Sequence, residues 1–387
     1  MNVFLTGATG FVGGELLVTL SKRSEINKIY CFIRATSADE ALVKIKNIFS
    51  LHDDDYDPEK IIPVLGNLQD DGLTRSLKEN SALQDINVVI HAAANTSFSR
   101  IYNTLVEDIN IKGLEKILNW AKDLAALQTF LYIGTATICG KNIRHRLVFE
   151  NESPNPAADH LVRYTYTKMQ GELLLAKLIA PEKILVVRPS IIMGDSRNVL
   201  PRSPIILWAV ATINQLRLIP ANEHALLDMI PVDYAAEAIV ALLFVQRNHH
   251  VYHITSGKEA ATTAYKLSLS LSGYFDERLS FQFVDKKMIE QLKRWSKDRL
   301  DPDSKLNGYP LYLAYWKQIF PDPGALRILL AGLEPYLEFM DLGQVFDNTR
   351  LLQDVPAIKQ SVPADIYINN CMEFIANIDT LEGAFDS

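Results

Sequence analysis

The order of apolar and polar positions divides the first part of the chain into alternating strands and helices. Helical periodicity occurs at 15–20, 37–51 and about 100–124, whereas short apolar runs predict strands at 3–5, 28–33 and 61–65, within 87–95 and at 129–133. Strands that alternate with helices form parallel sheets, because each crossover returns the chain to the same edge. The pattern therefore predicts a doubly wound α/β fold.

Three glycines stand between the first predicted strand and the first predicted helix. Gly7, Gly10 and Gly13 are spaced by three and follow Thr6. Glycines let a backbone turn sharply and approach a pyrophosphate closely, and the free N–H groups of the next helix then face the phosphates. A glycine triplet alone is weak evidence, since glycines also mark ordinary turns. Its place between a strand and a helix favours a dinucleotide site.

Residues that follow the second and fourth strands bear on the same site. Arg34 stands where this kind of fold meets the adenosine ribose, and an arginine there favours the 2′-phosphate of NADP over NAD; the alternative is a solvated surface arginine. His91 leads into Ala92 and Ala93, which are small enough for a cofactor to lie close. We expect His91 to be packed and hydrogen-bonded rather than catalytic, because the sequence shows no carboxylate or nucleophile in a catalytic arrangement with it.

A tyrosine and a lysine open a later apolar helix. Tyr164 and Lys168 are four residues apart, so they share one helix face. An ammonium beside a phenol stabilises the phenolate and lowers the tyrosine pKa from about 10. Tyr166 is the rival, but Gln170, four residues after it, carries no charge. The spacing therefore selects Tyr164, although such a pair also occurs by chance.

Taken together, these segments resemble the extended short-chain dehydrogenase/reductase family over most of the first 260 residues. The resemblance implies a Rossmann-type doubly wound parallel sheet, a smaller and mostly helical substrate domain, and NADP as cofactor. It implies that Thr135 hydrogen-bonds the substrate carbonyl, that Tyr164 protonates the oxyanion, and that Lys168 holds the nicotinamide ribose and lowers the tyrosine pKa. The cofactor-binding residues that it implies are Thr6, Gly7, Thr9, Gly10, Phe11, Val12, Gly13, Arg34, Asn67, Leu68, Ala92, Ala93, Asn110, Tyr164, Lys168, Pro189 and Ser190.

Within that family the chain is most similar to thioester reductases and fatty acyl-CoA reductases. The segments that carry this likeness are 30–36, 66–68, 251–257 and 346–350. The likeness implies reduction of an acyl thioester, bound to coenzyme A or to an acyl carrier protein, to an aldehyde or alcohol. Asn67 departs from the usual aspartate near the adenine, and Gly134 and Thr137 replace residues that are commonly Ser and Tyr.

The resemblance also implies that the chain crosses between two regions. We expect 1–194, with a return at about 228–256, to form the cofactor domain, and 195–227 with 258–387 to form the substrate-binding or lid region. The apolar helix at 203–218 and the aromatic residues within 308–340 fit an acyl tunnel or an ordinary core, since both use the same residue types. The first strand begins near residue 2, so we expect any carrier protein to be a separate partner.

Composition restricts the remaining classes of function. The net charge of −7 argues against nucleic acid or an anionic membrane as a partner held by charge. The longest apolar stretch, 205–213, is too short to cross a bilayer. The three cysteines are widely separated and lack metal-ligand or redox spacing, which favours a reducing, cytoplasmic location and no metal site.

Two other functions stay open at this point. A dehydrogenase or epimerase acting on a hydroxyl or ketone of a sterol-like or nucleotide-sugar substrate would use the same catalytic residues. A nucleotide sugar needs cations for its diphosphate, and the candidates are Arg197, Arg202 and Arg217. A non-catalytic NADP-sensing regulator would need no tyrosine and lysine in register with a threonine, so their presence counts against it.

Overall fold

A computed structural model describes residues 1–197, 204–297 and 305–386. The strands in this part of the chain are β1 (Asn2–Thr6), β2 (Lys28–Ile33), β3 (Ile61–Leu65), β4 (Val88–His91), β5 (Thr129–Ile133), β6 (Leu147–Val148), β7 (Ile184–Pro189), β8 (Ile191–Ile192), β9 (Leu218–Ile219), β10 (Leu226–Leu227), β11 (Met229–Ile230), β12 (Val251–Ile254), β13 (Thr262–Thr263), β14 (Gln282–Phe283) and β15 (Val345–Phe346). Seven of them form the main sheet in the order β3-β2-β1-β4-β5-β7-β12. All neighbours in that sheet run parallel, and the predicted fold class is confirmed.

Helices cover the sheet and build the second region. They are α1 (Phe11–Ser21), α2 (Ala38–Leu51), α3 (Leu73–Glu79), α4 (Asn103–Glu107), α5 (Leu114–Ala121), α6 (Arg163–Leu178), α7 (Pro204–Leu216), α8 (Val232–Phe244), α9 (Gly257–Ala260), α10 (Ala264–Tyr274), α11 (Lys286–Trp295), α12 (Pro310–Ile319), α13 (Pro323–Leu342), α14 (Thr349–Asp354), α15 (Ala364–Tyr367), α16 (Met372–Asn377) and α17 (Thr380–Asp386). The helix expected at about 100–124 is present as α4, a π-helical turn over Asp108–Gly113, and α5.

The sheet is buried on both faces, which explains the continuous apolar runs of its strands. In β1, Val3 and Leu5 face a core shared with α1, α2 and α8, whereas Phe4 faces the opposite core, shared with α3, α5 and α6. The strand order reverses between β1 and β4. Open α/β sheets bind ligands at the carboxyl ends of the strands beside such a reversal.

A separate core holds the second region together. It joins α7, which is buried on all sides, to α10, α11, α12, α13, α15 and α16. The chain then returns to the sheet, because Leu351, Val355 and Ile358 pack in the same core as Val3. This return was expected at 228–256 but not near 350, so the range 258–387 does not lie wholly in the second region. Among the described residues, no helix combines the length and apolarity that a membrane span requires.

Candidate active site

The glycine turn after β1 is shaped for close approach to a ligand. Gly7 has φ +74, and a Cβ atom there would lie 2.7 Å from the Ala93 nitrogen after β4. A Cβ atom on Gly13 would overlap the Gly7 carbonyl oxygen. α1 begins after Gly10 without a side-chain cap, so its first N–H groups stay free for an anion. These features fit the pyrophosphate of a dinucleotide.

A pair of basic residues lies at the adenosine end of the same cavity. Arg34 is exposed at the carboxyl end of β2, and Lys44 of α2 donates to the Arg34 carbonyl at 2.9 Å. Both side chains line the cavity, with Asn67 nearby. The Asn67 side chain accepts from the Gln69 N–H at 3.1 Å and so shapes its own loop. The sequence analysis did not predict Lys44 as a cavity residue, although it stands in the helix that follows the second predicted strand.

The three residues expected to be catalytic lie together at the carboxyl end of β5. Lys168 donates from Nζ to the Ile133 carbonyl at 2.7 Å, and this Nζ is 5.8 Å from the centre of the Tyr164 ring. Thr135 follows Ile133 by two residues, and its Oγ1 is 3.0 Å from that of Thr137. Tyr164, Lys168, Thr135 and Thr137 all line the cavity. The hydroxyls of Thr135 and Tyr164 and the ammonium of Lys168 therefore border one cavity.

The electrostatics of the tyrosine differ from the sequence expectation. Burial raises the pKa of Tyr164 above its usual range, and the ammonium of Lys168 points to a backbone carbonyl rather than to the phenol oxygen. Burial lowers the pKa of Lys168 to about 7, against the opposing effect of Glu172. The prediction that Lys168 lowers the pKa of Tyr164 is therefore wrong. A phenol that stays protonated is suited to act as an acid.

Two residues expected to bind cofactor do not line the cavity and instead support its walls. Thr6 accepts from the Ala93 N–H at 3.1 Å and pairs with His91 Nδ1 at 3.1 Å. His91 is buried, as expected, and burial lowers its pKa to about 3. Asn110, in the π-helical turn, accepts from the Asn95 N–H at 2.8 Å and donates to Thr167 Oγ1 at 2.9 Å. It therefore ties the loop after β4 to α6, beside Lys168.

A buried ion pair under the site was missed by the sequence reading. Glu172 accepts from Arg188 Nε at 2.9 Å and from Nη2 at 2.7 Å, and both side chains are almost fully buried. A Cβ atom on Gly134 would lie 2.9 Å from the Glu172 carboxylate, so Gly134 leaves room for it. Two signals were available: Glu172 stands four residues after Lys168, and Arg188 interrupts an apolar strand.

The other end of the cavity is apolar. We call this part the apolar arm; it is lined by Ile205, Ile206, Ala209, Val210 and Ile213 of α7, Leu267 and Leu271 of α10, and Ile219. The whole cavity measures about 700 Å³. It therefore joins the glycine turn, the hydroxyl pair and an apolar slot in one space. Of the expected site residues, those that line it are Gly7, Thr9, Gly10, Phe11, Val12, Gly13, Arg34, Asn67, Leu68, Ala92, Ala93, Thr135, Tyr164, Lys168, Pro189 and Ser190.

Comparison with known proteins places this geometry in a family. Residues 5–239, more than half of the chain, match the NAD-binding model described as male sterility protein. The chain belongs to this family. Human fatty acyl-CoA reductase 1 is 26% identical over 298 residues, which cover 66% of this chain and 58% of the human protein. The chain thus spans less than two thirds of the length of this human relative.

Solved structures share the fold of this male sterility family chain. The terminal R domain from the myxalamid PKS-NRPS biosynthetic pathway aligns with a TM-score of 0.71 at 20% identity, over 97% of this chain and 90% of that one. UDP-glucuronic acid 4-epimerase from Bacillus cereus, in complex with UDP-glucuronic acid and NAD, aligns with a TM-score of 0.63 at 18% identity, over 97% and 99%. At these identities the matches show the fold alone.

Proposed function

We propose that this chain is an NADPH-dependent reductase of acyl thioesters. The observation that carries the proposal is the single cavity in which Thr135, Tyr164 and Lys168 lie between a dinucleotide turn and the apolar arm. Family membership and the likeness to fatty acyl-CoA reductases support it. The thioester would be presented by coenzyme A or by an acyl carrier protein, and the free thiols of Cys31, Cys139 and Cys371 suit a reducing cytoplasm.

The residues of the site account for each charge that the reaction generates. When bound, the reduced nicotinamide supplies hydride to the thioester carbonyl carbon. Thr135 and Tyr164 donate hydrogen bonds to the carbonyl oxygen as it becomes negative, and the Tyr164 proton moves to it, giving a hemithioacetal. Aimed donors of this kind are each worth a few kcal/mol. The C–S bond then breaks, the hydroxyl proton passes to the departing thiolate through solvent, and an aldehyde remains. Solvent returns a proton to Tyr164, and formation of the alcohol would take a second molecule of NADPH and one further proton.

The choice of NADPH rests on the basic pair at the adenosine end. Arg34 and Lys44 both line the cavity there, and among the described lining residues the only carboxylate is Asp228. Asp228 accepts from the Ser256 N–H at 2.8 Å, on the opposite side of β1 from Arg34. Lys44 already pairs with Glu40 at 2.6 Å, so the preference rests mainly on the exposed Arg34 guanidinium, beside which a phosphate is favoured over a bare ribose hydroxyl.

Arg34→Ala is expected to raise the KM for NADPH roughly 10-fold, with little change for NADH, because one charge-assisted hydrogen bond is lost from an exposed site. Steady-state kinetics with both cofactors measure the effect. Arg75→Ala is the matched control, since Arg75 is exposed and pairs with Glu79 on its own helix. An equal loss for NADH and NADPH would contradict a role for Arg34 at the 2′-phosphate.

Lys168 is expected to impose a falling limb on the pH profile. Its pKa of about 7 means that the ammonium is present below that pH and lost above it. Since the charge holds the nicotinamide ribose, kcat/KM should fall as the pH rises through about 7. Lys168→Arg keeps its charge and should lack this limb; an unchanged limb would assign it to another group.

The lowered pKa of Lys168 should also make the free energy of unfolding rise between pH 7 and the usual 10.5, because only the unfolded chain then binds the proton.

The nucleotide-sugar alternative loses two of its three proposed cations. Arg197 is held by Asp195 at 2.6 Å and Glu15 at 2.8 Å, and does not line the cavity. Arg217 is buried and donates to the Phe275 carbonyl at 3.1 Å. Arg202 lies outside the described residues. Among the described residues, no cation lines the apolar arm, so these residues offer a diphosphate no counter-charge there.

Oxidation of NADPH, followed by its absorbance, tests the proposal. The panel contains acyl-CoAs, acyl-carrier thioesters, ketones including a sterol, and a nucleotide sugar. Turnover of thioesters with release of free thiol supports the reductase. Turnover of ketones alone would favour the dehydrogenase alternative, which the apolar arm also accommodates. Tight NADPH binding without any turnover would favour the regulator.

A further inference from the structure

Two sets of contacts relate the apolar arm to the catalytic residues. The first is a row of aromatic rings that leads away from Tyr164: Phe98 is 6.1 Å from it, Tyr336 is 5.0 Å from Phe98, and Trp208 is 5.8 Å from Tyr336. The row therefore joins the catalytic residues to α7 at Trp208 in three ring-to-ring steps. Ile213 is more than one helical turn further along α7.

The second set of contacts concerns α10 and gives the arm its direction. Met229 pairs with Ile191, which directly follows the cofactor-side residues Pro189 and Ser190. Leu226, three residues before Met229, pairs with Thr263, the residue that precedes α10. α10 therefore starts near the catalytic end and leads away from it. Leu271, on its third turn, belongs to the far end together with Ile213 and Ile219.

A buried guanidinium lies directly behind that far end. The Arg217 N–H donates to the Ile213 carbonyl at 2.8 Å, and the Arg217 side chain donates to the Phe275 carbonyl at 3.1 Å. The Phe275 N–H in turn donates to the Leu271 carbonyl at 3.0 Å. The guanidinium also stacks 4.5 Å from the centre of the Phe281 ring. Moving the guanidinium would break the Phe275 hydrogen bond and the Phe281 ring contact, so these two contacts hold the floor of the arm in place.

The length of the arm follows from the helix that lines it. Ile205 and Ile213 are eight residues apart on α7, and eight rises of 1.5 Å span about 12 Å. We infer that the substrates are thioesters of medium-length straight acyl chains and that Ile213, Ile219 and Leu271 set the upper limit of chain length. This inference rests on the proposed function, which does not itself define a chain length.

A series of acyl-CoAs with NADPH tests the limit. From butanoyl- to decanoyl-CoA, kcat/KM should rise roughly fourfold per added methylene, because each is buried in the arm. It should fall by at least 10-fold between dodecanoyl- and stearoyl-CoA. A stearoyl-CoA rate equal to that of decanoyl-CoA would overturn the inference. Failure of every thioester, while ketones are reduced, would overturn the proposed function with it.

Substitutions at the far end of the apolar arm test whether its residues set the limit of acyl chain length. Ile213→Trp and Leu271→Trp should move the optimum to shorter chains, and Ile219→Ala to longer ones, with NADPH affinity unchanged. Leu269→Trp is the matched control, since Leu269 is on α10 but 51% exposed. Binding of NADPH, followed by its fluorescence, verifies that each variant is folded. If a tryptophan variant does not bind NADPH, Ile213→Phe is tested in its place. An unchanged optimum in folded variants at 213 and 271, or a shift in the control, would place the limit elsewhere and overturn the inference.

Discussion

Tyr164→Phe is expected to lower kcat by about 10²- to 10⁴-fold, which is the usual contribution of a positioned proton donor. The substitution removes only the hydroxyl, so the ring contact with Phe98 and the shape of the cavity are kept. NADPH affinity should therefore stay within about twofold of that of the native chain, as would be shown by fluorescence titration beside the steady-state assay.

Tyr166→Phe is the control for this experiment. Tyr166 is two residues away on α6, does not line the cavity, and packs against His160 and the Arg163 guanidinium. We expect near-native turnover from it. Full activity in Tyr164→Phe, or a large loss in Tyr166→Phe, would remove the catalytic assignment.

Arg188→Met is expected to destabilise the fold by about 3–5 kcal/mol, because it leaves the Glu172 carboxylate buried without its partner. Burial raises the pKa of Glu172, and the charge and hydrogen bonds of Arg188 oppose that shift more than the charge of Lys168 does. Urea unfolding followed by circular dichroism gives the free energy of unfolding of each variant. The Arg188 side chain also donates to the Glu152 carbonyl at 2.9 Å, so part of the loss belongs to that bond.

The double variant Glu172→Leu with Arg188→Met separates the two contributions. Removing both charges should recover much of the loss, since the penalty arises from an unpaired buried ion. Arg75→Ala breaks an exposed pair with Glu79 and should cost less than about 1 kcal/mol. If Arg188→Met costs no more than Arg75→Ala, the buried pair does not support the site.

The parts of the fold that the sequence allowed us to predict are those that depend on local pattern. β1, the glycine turn and α1 follow from an apolar run, three glycines and helical spacing within 20 residues. The meeting of Thr135 and Lys168 was also predictable, because a residue after a parallel strand and a residue opening the next helix share one edge of the sheet. The bounds of β3, Ile61–Leu65, coincide with those of the predicted apolar run.

The features that could not be predicted depend on contacts between distant segments. Phe98 stands in an irregular loop, and only packing brings it beside Tyr336 of α13. Leu351 returns to the sheet core after about 100 residues spent in the second region, and no local pattern marks that return. The direction of the Tyr164 pKa shift depends on burial and on where the Lys168 ammonium points, which spacing on a helix does not determine.

Transfer of deuterium from the C4 position of reduced NADP to decanoyl-CoA tests the central claim most directly. The product and free coenzyme A would be followed by mass spectrometry. We predict one deuterium on the carbonyl carbon of decanal, or two on that carbon of the alcohol, with one coenzyme A released per decanoyl-CoA consumed. Tyr164→Phe should form this product at least about 100-fold more slowly. Label that appears only in an added ketone, with decanoyl-CoA left intact, would contradict thioester reduction by this site.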